Sequence, residues 1–188
     1  MEKIHRDKMK TYISILRGIN VSGQKLIKMG ALKKMYAGLH FENVQTYVQS
    51  GNVIFSAKAT DFKELENKIS EQIEKDFGFE VPVIILDGDK LETIIKQNPF
   101  TKDNQKDSTF LHITFLAEQS KSIDKVSIEA KKLPNEAIEF SENAVYLYCP
   151  NGYGKTKLHN NFLESKLKVK CTTRNWKTVN EIMRLVGG

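Results

Sequence analysis

Four short turns contain most of the side chains in this sequence that could recognise a ligand. Two lie near the N-terminus, Arg17-Gly18-Ile19-Asn20 and Gln49-Ser50-Gly51-Asn52, and two near the C-terminus, Gly152-Tyr153-Gly154-Lys155-Thr156 and Thr173-Arg174-Asn175-Trp176. Together they place Arg, Lys, Asn and Gln donors beside glycines, where a ligand can approach the backbone N–H groups. This combination indicates binding of an anion. It names no reaction, so whether the protein is an enzyme stays open.

The candidate ligand-binding residues are the glycines, cations, amides and one hydroxyl of these turns and of the loop after the first turn. They are Arg17, Gly18, Asn20, Lys25, Gln49, Ser50, Asn52, Gly154, Lys155, Arg174 and Asn175. The sequence assigns no catalytic residue. Neither a metal site nor a cofactor is expected, because Cys149 and Cys171 lack the spacing of metal ligands and the four histidines do not cluster.

Two segments partly match a phosphate-binding P-loop. Gly18 to Lys25 has the glycine spacing, but Gln24-Lys25 stands where Lys-Ser or Lys-Thr is required. Gly154-Lys155-Thr156 supplies that ending, yet Cys149 occupies the position of the first glycine. A nucleotide-triphosphate loop is therefore disfavoured. Two interpretations stay open: a looser anion site of loop N–H groups, a helix N-terminus and Lys25 or Lys155, and glycines that only turn the chain.

Two other chemistries are disfavoured. Ser50 has no base beside it in the sequence, so it is not expected to act as a nucleophile. The predicted third strands of the two halves, Asn52–Phe55 and Asn143–Tyr148, lack the basic and glycine positions of an RNA-stacking motif. Binding to a nucleic-acid backbone through clustered basic residues is not excluded by this.

Charge and composition limit the class of partner. The chain has 188 residues and a formal net charge of +6, which permits an anionic partner without requiring one. Arg17 to Lys34 contains five basic residues and no acid, and Lys155 to Lys177 contains seven basic residues against Glu164 alone. There is no signal peptide and no apolar run near the ~18 residues of a spanning helix. A cytoplasmic protein with reduced thiols and no membrane partner is expected.

Apolar periodicity predicts the elements that position the turns in the first half. Residues 1–8 are polar and are interpreted as an N-terminal extension. The predicted helices carry apolar stripes over 29–39 and 62–77. The predicted strands are Tyr12–Leu16, Val44–Val48, Val53–Ser56 and Val81–Leu86. The order is βαββαβ, the ferredoxin-like unit.

The same order recurs in the second half, after a helix and linker over 87–108. The predicted strands are Thr109–Leu116, Ala137–Phe140, Val145–Cys149 and Val169–Thr172. The predicted helix stripes are Ile123, Val126, Ala130 and Leu133, then Leu158, Phe162 and Leu163, and finally Trp176, Val179, Met183 and Val186. We predict an α+β fold of two tandem ferredoxin-like subdomains with antiparallel sheets, over 9–86 and 109–188, the second ending in a C-terminal helix.

This topology predicts that the turns converge in pairs. Strands one and three of a βαββαβ unit are central antiparallel neighbours, so the end of the first lies beside the start of the third. Arg17-Gly18-Ile19-Asn20 should therefore meet Gln49-Ser50-Gly51-Asn52. In the second half, Gly152–Thr156 should meet Thr173–Trp176, where Asn175 or Thr173 is an expected helix N-cap.

The turns also carry a family resemblance that runs from about Met9 to Val186. The motifs are Leu16-Arg17-Gly18-Ile19-Asn20-Val21, Tyr47-Val48-Gln49-Ser50-Gly51-Asn52-Val53-Ile54-Phe55, Asn98-Pro99-Phe100 and Thr173-Arg174-Asn175-Trp176-Lys177-Thr178-Val179. Together they resemble the hallmarks of a bacterial family called domain of unknown function 1697. Ser22-Gly23 stands where the family commonly has Gly-Gly, and Lys155-Thr156-Lys157 where Ser-Lys is common. The resemblance implies no activity, catalytic residue or cofactor, but it supports treating the four turns as a set.

The functional expectation is a site for a small phosphorylated or carboxylated ligand. Arg17, Lys25 and Arg174 would supply charge, and Gln49 and Asn52 would orient the ligand. The alternatives are nucleic-acid backbone binding through the two basic clusters and a protein-interaction module. The sequence does not indicate the oligomeric state.

Overall fold

The computed structural model describes residues 8–187, so residues 1–7 of the expected N-terminal extension lie outside the described residues. Within that range the chain forms eight strands and six α-helices, and the strands make two four-stranded antiparallel sheets. The expected α+β class and the C-terminal helix are confirmed.

The first sheet has the ferredoxin-like strand order. The elements are β1 (Met9–Leu16), α1 (Met29–Gly38), β2 (Glu42–Tyr47), β3 (Asn52–Lys58), α2 (Phe62–Phe77), β4 (Val83–Asp87) and α3 (Gly88–Lys96). The sheet order is β2-β3-β1-β4, with every neighbouring pair antiparallel. As expected, β1 and β3 are central neighbours.

The second sheet repeats this order. Its elements are β5 (Leu111–Leu116), α4 (Lys125–Lys131), β6 (Ala137–Phe140), β7 (Ala144–Tyr148), α5 (Asn160–Leu167), β8 (Cys171–Asn175) and α6 (Trp176–Gly187). Short 3-10 helices cover Pro99–Lys102, Ser108–Phe110 and Tyr153–Lys155. The sheet order is β6-β7-β5-β8.

The described residues divide into two compact units. The first unit comprises 8–91 and 182–187, and the second comprises Glu92–Glu181, so the division falls within α3 and within α6. The sequence analysis grouped the whole C-terminal helix with the second half. The subdomain limits at 86 and 109 stay a prediction, because compactness alone does not show which segment folds independently.

Helix α2 shows how local sequence defines an element of the first unit. Asp61 caps its N-terminus by accepting hydrogen bonds from two backbone N–H groups of the first turn. Gly78 ends the helix in the left-handed conformation, with φ 80°. Between these caps Leu65, Ile69 and Ile73 form one buried stripe, which packs the helix on the sheet.

Phe55 on β3 is the centre of an aromatic cluster in the first unit. Its ring centroid lies 4.5 Å from Phe41, 5.4 Å from Tyr36 and 5.8 Å from Tyr12. These rings come from α1, from the turn after it and from the two central strands, so one cluster joins helix and sheet. Such pairs contribute about 0.5–1.5 kcal/mol each beyond their buried area.

Polar atoms of Ser14 and Tyr36 meet inside this core. Ser14 on β1 is fully buried, and its Oγ lies 2.6 Å from the hydroxyl of Tyr36 on α1. Burial raises the pKa of Tyr36, and the hydrogen bond with Ser14 opposes that shift. The pair satisfies two hydroxyl groups that would otherwise be buried without a partner.

The second unit differs from the sequence expectation at helix α4, at its last strand, and at Thr109 and Phe110, which were predicted in a strand but lie in a 3-10 helix. Val126 was expected to be on the buried stripe of its helix, but its side chain is 83% exposed and Ile128 is buried instead. Asp124 caps α4 by accepting a hydrogen bond from Ser127 N, and the resulting short helix turns Ile128 toward the core.

The last strand was also placed too early. The sequence predicted Val169–Thr172, whereas β8 covers Cys171–Asn175. Helix α5 ends at Lys168 in the left-handed conformation, so the chain is still turning at residues 168–170. Thr173 and Arg174 therefore lie in the sheet and not in a turn.

Removing both hydroxyls of the Ser14–Tyr36 pair should cost less than the sum of the costs of removing each one alone. Tyr36→Phe and Ser14→Ala each leave one buried hydroxyl without its partner, which costs about 1–3 kcal/mol. The double variant leaves none and should cost less than the sum of the single variants. Urea denaturation measures the three free energies of unfolding, and strict additivity would contradict the predicted coupling.

Candidate functional site

The two N-terminal turns meet in the first unit, as the topology predicted. Leu16 N donates to Gly51 O at 2.8 Å, and Asn20 Nδ2 donates to Gln49 O at 2.8 Å. We call residues 17–28 and 48–52 the turn pair.

Gly51 is a glycine because the turn pair is tightly packed. It has φ 78°, and a Cβ built on it would lie 2.7 Å from Ile19 Cδ1 and 2.8 Å from Leu16 Cβ. Gly18 and Gly23 also have positive φ, but nothing lies within 4 Å of a Cβ on either. Gly51 therefore serves internal packing, whereas Gly18 and Gly23 leave open space in front of the backbone.

Asn20 holds the loop closed with every polar atom of its amide. Oδ1 accepts from Ile27 N at 2.8 Å, and Nδ2 donates to Ile27 O at 3.0 Å as well as to Gln49 O. Because an amide nitrogen has only two hydrogens, no donor is left for a ligand. Asn20, expected to face a ligand, is used inside the turn pair.

The side chains of Asn52 and Ser50 also make hydrogen bonds within the hairpin turn. Asn52 is fully buried, and its Nδ2 donates to Tyr47 O at 2.9 Å and to Ser50 Oγ at 3.1 Å. Its amide therefore stabilises the hairpin turn. Gln49 is exposed, and its backbone carbonyl accepts the bond from Asn20.

The surface of the turn pair is basic. Lys25 and Lys28 are exposed and Arg17 is half-buried. Lys25 Nζ donates to Glu80 O at 2.6 Å, which fixes the ammonium group and leaves two of its hydrogens for other acceptors. The tip of the loop reverses at Ser22-Gly23, and Gln24 N donates to Val21 O at 2.9 Å.

Residues with left-handed backbone conformation are concentrated in the turn pair. Among residues 8–187, seven non-glycine residues have positive φ, and four of them belong to the turn pair: Asn20, Ser22, Lys25 and Val48. Val48 is β-branched and has φ 51°, a genuine outlier for such a residue. Each costs about 1–2 kcal/mol relative to ordinary backbone. Strain held in place by surrounding hydrogen bonds is typical of ligand sites.

Exposed apolar side chains flank these cations. Val21 is 57%, Leu26 66% and Val48 45% exposed. All three belong to the turn pair, where they expose apolar area near Lys25 and Lys28 in the sequence.

In the second unit, the Gly152–Thr156 turn places the ring of Tyr153 on the ring of His112. Gly152 has φ 91° and leads into the 3-10 turn, where the ring of Tyr153 stacks on His112 with centroids 4.8 Å apart. The alternation of residues 110–114 predicts a packed or sheet-surface His112, but the sequence does not indicate its pairing with Tyr153. The Gly-Tyr-Gly run marks an exposed turn, but only the fold shows what the tyrosine covers.

Tyr153 reaches toward β8. Its hydroxyl is buried and makes no hydrogen bond of good geometry, although it approaches the hydroxyl of Thr173. Burial raises the pKa of Tyr153, and Thr173 opposes that shift. The predicted meeting of Gly152–Thr156 with Thr173–Trp176 is therefore observed for Tyr153 and Thr173.

Thr173 belongs to a polar chain between the second sheet and α5. Its Oγ1 donates to Asn160 Oδ1 at 2.7 Å, so Thr114 Oγ1, also at 2.7 Å, must donate to Thr173. His112 continues this polar face of β5, and its Nδ1 donates to Phe110 O at 3.2 Å because a carbonyl can only accept. Burial lowers the pKa of His112, which favours the neutral ring.

Arg174 and Asn175 do not join the Gly152–Thr156 turn as expected. Arg174 lies within β8 opposite Ile113, and successive strand residues face opposite sides of a sheet, so it points away from the face that carries Thr173. Its Nη1 donates to Thr172 Oγ1 at 3.0 Å, and burial lowers the pKa of its guanidinium to about 10. Asn175 caps α6, accepting from Thr178 N at 2.8 Å.

Gly154 and Lys155 are exposed. The N–H groups of Lys155 and Thr156 donate to Gly152 O and Tyr153 O, so the 3-10 turn uses them internally. Burial raises the pKa of the nearby Cys149 thiol to about 12, which keeps it protonated and poorly nucleophilic. The exposed lysines of the turn pair in the first unit differ in this respect from the internally bonded turn of the second unit.

The fold and the two sites define an α+β protein of two ferredoxin-like units with a constrained turn at each sheet. The family model described as "Protein of unknown function (DUF1697)" matches residues 9–146. The chain belongs to this family, as the resemblance of its motifs indicated.

A solved structure shows the same fold. It is a conserved bacterial protein from Streptococcus pneumoniae, 23% identical, with 95% of this chain and 99% of that chain covered and a TM-score of 0.71. No curated protein matches the chain. Within residues 8–187, no helix has the length and apolar character needed to cross a membrane.

Adding a methyl group at Gly51 should destabilise the protein more than adding one at Gly23. Both glycines are left-handed, so alanine at either position costs about 1–2 kcal/mol of strain. Only at position 51 does the methyl group clash with Ile19 and Leu16, adding about 1–3 kcal/mol. Urea denaturation of Gly51→Ala and Gly23→Ala checks this, and equal losses would contradict the packing role of Gly51.

Acid should weaken the second unit through His112. Its pKa is lowered in the folded state, whereas the unfolded chain takes up a proton near pH ~6.5. Stability is therefore fully present above that pH and is lost as the pH falls below it. His112→Phe keeps a flat ring on Tyr153 and removes the titration, so its free energy of unfolding should fall less between pH 7.5 and pH 5, values chosen about one unit or more either side of that pKa. An NMR titration placing the pKa of His112 at or above that of a free histidine would contradict the prediction.

Proposed function

We propose that the first unit binds an anionic ligand at the turn pair. The observation that supports this most directly is its basic surface: the exposed Lys25 and Lys28 and the half-buried Arg17 lie in a segment with no acidic residue, on a loop that contains several left-handed residues. A charged surface of one sign attracts ligands of the other, and a pre-formed loop loses little entropy when it binds.

The loop also offers backbone to the ligand. Gly18 and Gly23 leave open space where a side chain would stand, so an anion can approach the main chain there. Lys25 is already fixed at Glu80 O, which positions its remaining hydrogens. Asn20 and Asn52 stabilise this geometry and do not contact the ligand.

The neighbouring apolar side chains define the ligand further. A bare phosphate would leave Val21, Leu26 and Val48 in water, whereas an organic phosphate or carboxylate can cover part of them. The proposed ligand is thus a small molecule with both an anionic and an apolar part. No reaction is proposed, because the sequence assigns no catalytic residue to the turn pair.

A cytoplasmic location is part of the proposal. Its support is that Cys149 and Cys171 are both free and buried, as is typical of proteins kept in a reducing compartment.

A thermal-shift panel of inorganic phosphate, nucleotides, sugar phosphates and organic carboxylates tests the proposal. A ligand at about 100 times its Kd adds about 2.7 kcal/mol, or roughly 5–11 °C in Tm for a chain of this size. Lys25→Gln combined with Lys28→Gln should weaken binding at least about tenfold, since a hydrogen bond to a charged group contributes about 1.5–3 kcal/mol.

The matched control removes the same charge from α1. Lys33→Gln combined with Lys34→Gln changes two exposed lysines of the same basic segment that lie outside the turn pair. This control should bind like the unmodified chain. A silent panel, or equal loss of binding in both double variants, would refute the proposal.

Nucleic-acid binding is separated from small-anion binding by salt. An oligonucleotide bound through its backbone loses affinity linearly in a log–log plot, with a slope of roughly −0.7 to −0.9 per neutralised phosphate. Such a slope together with a silent small-molecule panel would replace the proposal by backbone binding.

A further inference from the structure

The first unit has a second concave surface at the other end of β3. A cleft of about 730 Å³ opens between the turn after α1 (residues 39–41), the end of β3 and the chain after it (57–60), and residues 64, 65 and 68 of α2. The turn pair lies at the start of β3, so the length of that strand separates the two surfaces. Small-molecule sites commonly have volumes of about 300–1,000 Å³.

The cleft exists because the edge strand stops short. Strand β2 begins at Glu42, opposite Ser56, while β3 continues to Lys58. The register shifts between Glu42 and Gln45, and Asn43 is left-handed there, with φ 51°. The last residues of β3 are thus uncovered on the β2 side, and α2 forms the opposite wall.

The floor of the cleft is apolar. Phe41, Ala57 and Leu65 line it, with exposures of 6%, 6% and 2%. Phe41 stacks on Phe55 in the aromatic cluster, so its ring is held rigidly. Only the outer edges of these side chains reach the cleft, so an apolar group can contact them there without entering the core.

The rim carries more basic than acidic groups. Lys68 Nζ lies 5.2 Å from the centroid of the Phe41 ring and donates to Leu39 O at 3.4 Å, which places the ammonium above the floor. The one acid of the lining, Glu64, accepts from Thr60 Oγ1 at 2.8 Å. With Lys58, which also lines the cleft, two lysines stand against one glutamate, so the lining has a formal charge of +1 with the histidine counted as neutral.

Two further basic side chains complete the rim. Lys58 is exposed at the end of β3, and His40 is exposed on the turn after α1 with φ 63°. A left-handed histidine is uncommon and is set here by the sharp turn between α1 and β2.

We propose that this cleft binds a small amphiphilic anion, with its apolar body on Phe41, Ala57 and Leu65 and its charged head at Lys68. The argument is charge and shape complementarity: an apolar floor beneath the ammonium group of Lys68 favours a ligand that has both an apolar part and a negative charge. The inference does not depend on the turn pair, because no residue is shared between the two surfaces.

Anilinonaphthalene sulfonate is a suitable probe, since it joins an aromatic body to one anionic head. Titration of the folded full chain should show one saturable site, with NMR shifts centred on Phe41 and Leu65. Lys68→Gln should weaken binding about tenfold and Lys68→Arg should restore it. Lys75→Gln removes an exposed lysine from the last turn of the same helix and should leave binding unchanged.

Phenylnaphthylamine, which lacks the sulfonate, tests the charged head separately and should bind about tenfold more weakly. Equal binding of the charged and neutral compounds, or an undiminished affinity in Lys68→Gln, would overturn the proposal. Shifts confined to residues outside the cleft would overturn it as well. The two binding proposals can be tested separately. Lys25→Gln combined with Lys28→Gln changes only the turn pair, and Lys68→Gln changes only the cleft.

Discussion

The close approach of Gly51 to Leu16 and Ile19 is the contact on which the first unit's site depends. A Cβ at position 51 would lie 2.7 Å from Ile19 Cδ1, so the hairpin turn can press against the end of β1 only with glycine there. That approach is set by the β1–β3 register, in which Ile15 faces Asn52. It brings the carbonyl of Gln49 within reach of Asn20, and the Asn20 amide then fixes the loop out to Ile27. The strained residues of the loop are held in place by these few bonds.

The second unit has the same strand order but a different use for the corresponding turn. There the turn folds over the sheet, and Tyr153 covers His112 above a buried chain of hydroxyl groups that ends at Asn160. The N–H groups of Lys155 and Thr156 donate within that turn, whereas the first unit presents cations and open glycines. Equal topology therefore does not give equal chemistry, since function depends on which atoms the local backbone leaves exposed.

Much of the fold could be predicted because its signals are local. The stripe of Leu65, Ile69 and Ile73 between Asp61 and Gly78 defines α2 without reference to any other element. Strand order followed from the alternation of elements, and the meeting of turns followed from strand order. The first and last residues of β8 could not be predicted from local sequence signals. Val169 favours a strand by itself, but the register against β5 starts the strand at Cys171 and buries Arg174, which is a decision made by tertiary pairing.

The candidate site was predictable in position but not in which groups face outward. Asn20 and Asn52 have the side chains of a ligand site, yet both turn inward because the left-handed loop and the hairpin need their hydrogen bonds. The motifs that identify the family thus contain residues that build the turn pair, while the exposed Lys25 and Lys28 lie outside those motifs. Within the turn pair, the residues that set the geometry are therefore largely distinct from the exposed lysines, although the half-buried Arg17 lies in a motif as well.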